Sequence, residues 1–198
     1  MTVVDCFTFY NELELLRKRL EYLSPKVDKF VLVESTKTFR GNDKPLFYAE
    51  HKDDFAEWAN KIVHVVVEDN PEGDDPWARE KHQRNCITRG LDQLTLDPDD
   101  FVMIGDVDEI PSIDWVGVMP EGAVVVTAHM YAFEYSLKWM QVVEPWFGLS
   151  WLGTDCSRTA NTSCRNFSET SVGTSRTPKT RGGTFRRSDR PTTCSTRL

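Results

Sequence analysis

At 198 residues, with 39% hydrophobic and 28% charged side chains, the chain is long enough to bury one substantial core, and a single domain is expected. Its formal charge of -7 hides an asymmetry, because residues 149–198 hold nine Lys/Arg against three Asp/Glu and leave -13 on the first 148. An acidic body of that kind repels nucleic acid and invites cations.

Residues 3–10 read as a strand, and residues 11–14 open a helix whose apolar positions 13, 16, 20 and 23 share one face before Pro25 closes it. Residues 29–34 form a second apolar strand, followed by a polar loop with Gly41 and Pro45 near the same sheet end. Residues 51–60 look helical with Phe55 and Trp58 facing inward, and residues 62–67, rich in β-branched side chains, make a third strand. After an acidic loop over 69–75, Pro76 starts a long helix reaching toward residue 94. Residues 101–105 are the central strand, 123–130 another, and 131–147 an aromatic-rich segment without a legible form. Strands and helices alternating up to residue 148 predict an α/β fold with a largely parallel sheet.

Five cysteines, at positions 6, 86, 156, 164 and 194, show no pairwise metal-ligand spacing, so reduced and partly buried thiols are expected. The start, Met1-Thr2-Val3-Val4-Asp5, has neither a basic flank nor a long apolar core. With no signal peptide or membrane span visible, a soluble, cytoplasmic chain without a transmembrane anchor is expected. No glycine-rich phosphate loop of either common spacing and no His-Glu-x-x-His pattern occurs, which disfavours a Rossmann fingerprint or a Walker loop. The histidines at 51, 64, 82 and 129 are scattered and read as ordinary residues, with His129, beside Met130 and Tyr131 at a strand end, placed to face a cleft.

Residues 101–111, Phe-Val-Met-Ile-Gly-Asp-Val-Asp-Glu-Ile-Pro, are an apolar run that ends in three carboxylates within four positions. Charge is costly in a core, so Asp106, Asp108 and Glu109 belong where the strand emerges. A side-chain period of two puts Asp106 and Asp108 on one side if the extension continues through them. Such a pair can grip a hard cation, Mg2+ or Mn2+, that bridges carboxylates to a substrate's phosphates. A lone Asp-x-Asp is more often a solvated turn. Here the apolar residues before it place it at a strand's carboxyl end, where open α/β sheets put ligands, and Pro111 stops the strand.

Four segments carry a wider pattern: Asp-Cys-Phe-Thr-Phe-Tyr-Asn-Glu over 5–12, Phe-Val-Leu-Val-Glu-Ser-Thr-Lys-Thr-Phe-Arg-Gly over 30–41, Trp-Ala-Arg-Glu from Trp77 with Gln83-Arg84-Asn85, and Asp-Val-Asp-Glu-Ile-Pro over 106–111. In that order and spacing, the chain over about residues 4–148 resembles the glycosyltransferase family of the β-1,4-mannosyl-glycoprotein 4-β-N-acetylglucosaminyltransferases, which add a bisecting N-acetylglucosamine to N-glycans. The resemblance implies a nucleotide-sugar transferase of GT-A-like fold, incomplete at its C-terminus. It also implies UDP-N-acetylglucosamine as donor, a glycan or glycoprotein acceptor, and Mn2+ or Mg2+ held by Asp106 and Asp108 against the diphosphate.

Around that centre several roles stay open. Glu109 either completes the metal shell, directly or through water, or caps nearby backbone. On the long helix Arg79 and Gln83 fall at helical spacing, and either Arg79 or Arg84, on different faces, is the residue to reach the donor's phosphates. Glu34, with Ser35 and Thr36, and the pair Asn11 and Glu12 are donor-pocket or supporting residues in the family view. Otherwise Asn11 caps a helix and Glu34 pairs with a Lys or Arg. Trp139, Trp146 and Trp151 with Tyr131, Phe133 and Tyr135 make either a stacking surface for an acceptor sugar or core. Inversion at the sugar, which the family's product implies, needs a carboxylate base opposite the departing diphosphate, and Glu134 and Glu144 are candidates by location alone.

After Gly148 the composition changes: nineteen of residues 149–198 are Ser or Thr, apolar periodicity disappears, and a disordered tail beside a 1–148 domain is expected. The resemblance stops there too, where the family continues with an arginine-bearing segment and a Gly-Trp-His-Phe-Ser stretch. Residues 180–189, back-translated in a frame shifted by two nucleotides, can spell Ala-Gly-Trp-His-Phe-Ser-Ser-Phe-Gly. That reads the tail as an out-of-frame product, with an inactive chain as the consequence. The Asn161 and Asn166 glycosylation patterns are then chance. Competing classes are a non-catalytic sugar- or metal-binding relic of a transferase, and a nucleotidyltransferase or phosphatase, for which no lysine-rich or nucleophilic partner is found near Asp106. A nucleic-acid arm in the basic tail is disfavoured by the acidic body.

Overall fold

The computed structural model describes residues 1–119, 125–133, 138, 140 and 146–153. Strand β1 (Val3–Phe9) leads to helix α1 (Leu13–Leu23), β2 (Lys29–Ser35), the short helix α2 (Phe47–Glu50) and a 3-10 helix (Lys52–Trp58). Strand β3 (Ile62–Val67), helices α3 (Pro76–Asn85) and α4 (Ile87–Leu91), and β4 (Phe101–Asp106) come next, then a 3-10 turn (Ile113–Trp115), β5 (Val125–Met130) and β6 (Trp146–Gly153). All six strands join one sheet in the order β3-β2-β1-β4-β6-β5. The first four are parallel to one another, while β6 runs antiparallel to both β4 and β5. The expected α/β fold is present, with a mixed, mostly parallel sheet.

Because side chains alternate along a strand, β1 feeds two cores. Val3, Phe7 and Phe9 pack with Leu16, Leu20 and Leu23 of α1 and with Phe55 and Trp58, whereas Val4 and Cys6 pack with Val31, Val65 and Ile87. Helices thus cover both faces of the parallel half, as its apolar strands require. Cys6 and Cys86 are buried, unbridged thiols; the other cysteines lie outside the described residues.

Two expected helices take another form. In place of one helix over 51–60 there is a 3-10 helix over Lys52–Trp58, broken from α2 at His51 (φ -111, ψ 19). Its winding is interrupted at Phe55 (φ -115, ψ 19), and Phe55 at this kink and Trp58 at the end of the segment are both buried. The helix expected to reach residue 94 breaks at Cys86 (ψ -7), whose N–H is shared by the carbonyls of His82 and Gln83. The bend lets α4 press Gly90 against β2, so closely that a Cβ there would overlap Val31.

Connections run from β1 toward β2 and β3, then return to place β4 on the other side of β1. That reversal opens a crevice at the carboxyl ends of β1 and β4. Strand β6 runs through residue 148, where the composition shifts. The tail beyond Gly153, with Glu134, Tyr135, Trp139 and Glu144, lies outside the described residues. No helix among the described residues is long and apolar enough to cross a membrane.

Candidate functional site

Asp106 is the last residue of β4 and stands in register with Thr8 of β1, at the strand reversal. The extension stops there. Glu109 returns its N–H to the Asp106 carbonyl at 3.0 Å, so Asp106 and Asp108 reach the same cleft through a turn and not through the pleat. Oδ1 of Asp106 accepts hydrogen bonds from Thr8 Oγ1 at 3.0 Å and from Arg84 Nη2 at 2.8 Å. Asp108 is exposed, and its carboxylate has no partner among the described residues. These two carboxylates are oxygen donors of the kind a hard cation takes, side by side on one turn at the cleft.

The cleft measures about 630 Å³ and lies between the ends of β1 and β4, the loop after β2 and the exposed side of α3. Arg84, Gln83 and Glu80 of α3 line it, as do Lys44, Lys37 and Phe39 of the loop and Tyr10 and Glu12 after β1. Lys44 Nζ stands 3.7 Å from Glu34 and over the rings of Tyr10 and Phe47, at 5.2 and 5.5 Å. Burial lowers the Lys44 pKa, and the Glu34 charge opposes that shift.

The turn bearing the carboxylates rests on a wholly buried guanidinium. Arg19 Nη1 donates to the carbonyls of Asp106, Val107 and Glu109 at 2.9, 3.1 and 2.9 Å, while Nε and Nη2 grip both Asp5 oxygens at 2.8 Å. Sequence reasoning placed Asp5 in the first of the four segments without a role, and assigned Arg19 none. The signal was there: Arg19 sits on the apolar stripe of α1 between Leu16 and Leu23, and Asp5 interrupts an apolar strand. Buried charges are kept when paired.

Glu109 is itself buried, with both oxygens engaged. Oε2 accepts the Asp106 N–H at 2.9 Å and Oε1 accepts the Trp146 indole N–H at 2.8 Å, so the carboxylate caps the turn's backbone. Burial raises its pKa above the usual glutamate value. Two glycines make its slot: a Cβ on Gly105 would lie 2.8 Å from Oε2, and one on Gly148 would collide with Oε1.

The remaining candidates divide between wall and support. Gln83 lines the cleft, but its amide donates to the Val33 carbonyl at 2.9 Å and the Phe9 carbonyl at 3.4 Å, which fastens α3 to the sheet. Of the two arginines only Arg84 lines the cleft. Arg79 is buried and bonds the carbonyls of Phe39 and Gly73, joining two loops. Glu34 is fully buried, accepting the Tyr48 N–H at 3.1 Å and facing His64 Nε2 at 3.1 Å. Glu12, not Asn11, is the N-cap residue of α1, and its carboxylate accepts the Asn11 N–H at 2.9 Å. Trp151 packs against Phe101 in the core, whereas Tyr131, Phe133 and Trp146 are exposed. His129 is exposed on β5, away from the cleft lining.

Fold and cleft together define an α/β domain with paired carboxylates at the carboxyl edge of its parallel strands. The sequence profile of Glycosyltransferase family 17 matches residues 1–152, and the chain belongs to that family. It is similar to the beta-1,4-mannosyl-glycoprotein 4-beta-N-acetylglucosaminyltransferases of Rattus norvegicus and Homo sapiens, each 33% identical over 120 residues, 58% of this chain. The Mus musculus protein of the same name is 32% identical over the same length. The matched stretch spans only 22% of the length of each of these relatives. The resemblance carried by the four sequence segments therefore holds.

Proposed function

We propose that the chain carries the donor-binding part of a glycosyltransferase that moves N-acetylglucosamine from UDP-N-acetylglucosamine to a hydroxyl of a glycan or glycoprotein, on a GT-A-like domain. The observation that carries this reading is the meeting of Asp106, Asp108, Arg84 and Lys44 in one cleft at the strand reversal of a family 17 chain. Hard oxygen donors suit Mn2+ or Mg2+, and an ion held by Asp106 and Asp108 would supply positive charge to the departing diphosphate.

The chain's own groups do the rest. Arg84, released from Asp106, donates to phosphate oxygens, and Lys44 offers a second cation from the opposite wall. Tyr10 and Phe39, 44% and 40% exposed along the cleft, supply aromatic surface for the uracil. Arg19 and Glu109 hold the turn beneath the carboxylates, so little reorganisation is needed when the donor arrives. Gln83, Arg79 and Glu34 support the walls. Glu134 and Glu144 remain the candidates for the base.

Calorimetry of the full chain with UDP and UDP-N-acetylglucosamine, with and without Mn2+, tests the reading against an Asp106→Ala/Asp108→Ala chain. Metal-dependent binding that the double variant loses supports it, and release of N-acetylglucosamine onto a mannosyl glycan completes it. Binding without transfer indicates a binding relic. Binding unaffected by the substitutions overturns the site.

A further inference from the structure

On α3, beside the cleft wall, a second set of donors comes together. His82 and Cys86 lie four residues apart at the end of the helix, and Asp69 reaches them from the loop after β3. One ligand atom from each lies within 4.8 Å of the other two. His82 Nε2 is buried without a hydrogen bond and stands 3.5 Å from Asp69 Oδ2. Cys86 is a buried, unbridged thiol. A buried ring nitrogen and a buried sulfur, both without hydrogen-bond partners among the described residues and facing one carboxylate, leave unmet bonding capacity that water or protein normally fills.

The geometry points to a transition-metal site of the zinc class at Asp69, His82 and Cys86, separate from the all-oxygen carboxylates of the cleft. Thiolate sulfur, imidazole nitrogen and carboxylate oxygen are the donor types of four-coordinate zinc, with a water completing the shell on the exposed Asp69 side. A hard ion such as Mg2+ has no reason to prefer this set. Arg89 holds Asp69 through bonds of 2.7 and 2.6 Å, yet each carboxylate oxygen keeps a second lone pair, so the arginine orients the ligand from outside. Burial raises the Cys86 pKa, so the ion takes the place of a thiol proton that passes to solvent.

The position gives the ion a structural part. His82 and Cys86 bracket Gln83 and Arg84, and Cys86 is the residue at which the helix bends. An ion there would tie the bend to the end of β3 and fix the turn that presents Arg84 to the cleft.

Cobalt is the probe, because thiolate-to-cobalt charge transfer reports sulfur ligation and the cleft carboxylates cannot produce it. The full chain is expected to develop that band with Co2+ and to lose it to Zn2+, with a thermal midpoint raised by Zn2+. The band should survive a chain with Cys6, Cys156, Cys164 and Cys194 all changed to Ala. It should vanish in Cys86→Ala, which keeps an apolar side chain in place, and zinc affinity should fall at least about tenfold in His82→Ala. Absence of the band in the full chain, its survival in Cys86→Ala, or unchanged zinc affinity in His82→Ala overturns the site. Metal-free urea midpoints show that the variants are folded.

Discussion

Arg19 and Asp5 meet in a two-pronged ion pair with both side chains fully buried, and the same guanidinium carries the turn that presents Asp106 and Asp108. Breaking such a pair leaves an uncompensated charge in the interior, so Asp5→Ala is expected to cost about 3–5 kcal/mol of stability. Urea unfolding measures it. The Asp5→Leu/Arg19→Met double variant should recover part of that loss and still bind UDP poorly with Mn2+, since the turn's carbonyls have lost their donor. Full recovery of binding would reduce Arg19 to packing.

Asp108 offers the opposite case. Exposed and without a partner among the described residues, it should be replaceable by Asn with a stability change within about 0.5 kcal/mol. Metal-dependent UDP binding should nevertheless weaken at least about tenfold, or about 1.4 kcal/mol, by calorimetry.

Arg84 neutralises Asp106 in this structure and would compete with an arriving cation for Oδ1. Arg84→Met is therefore expected to tighten Mn2+ binding measured without nucleotide and to weaken UDP binding at saturating Mn2+. A change of about tenfold in each direction is the scale of one charge-assisted hydrogen bond. Two changes of the same sign would contradict the exchange.

Glu109 links the turn to pH. Its pKa is raised in the folded chain, chiefly by burial, so in the affected range the native state binds more protons than the unfolded one. Its contribution to stability is complete below the ordinary glutamate value of 4.5 and is lost as pH rises through the raised value. Glu109→Gln cannot titrate, so wild-type urea midpoints should fall relative to the variant's from about pH 4 upward. A parallel pair of curves would remove Glu109 from the account.

Much of the parallel half could be read from residues 3–10, 29–34, 62–67 and 101–105, where apolar runs alternate with helical patterns. Helix breaks were harder. Nothing local marks Cys86 as a bend; it follows from Gly90 meeting Val31, a contact between parts distant in sequence. At the site, the carboxylates stood out because charge gathered at the end of an apolar strand has to meet solvent, a counter-charge or a ligand, whereas helical spacing alone left Arg79 and Arg84 as alternatives. The support beneath the carboxylates did not stand out, since Arg19 and Glu109 meet partners distant in sequence, Asp5 and Trp146, together with carbonyls of the turn and gaps left by Gly105 and Gly148. Periodicity can place Arg19 on an apolar stripe, but only the folded sheet shows which carbonyls it meets.

Strand β6 has a consequence for how the chain is made. The four parallel strands and their helices are translated before residues 146–153, so for a time β4 presents an unpaired ladder through Val102 and Met103, the stretch that β6 later covers. An open, apolar edge of that kind is a template for pairing with another nascent copy. Arrival of β6 caps the ladder and brings Gly148 and Trp146 to Glu109 in the same step. A ribosome stalled ahead of that strand would release a product prone to aggregate, and the strand that finishes the carboxylate turn is also the one that closes the β4 ladder to other chains.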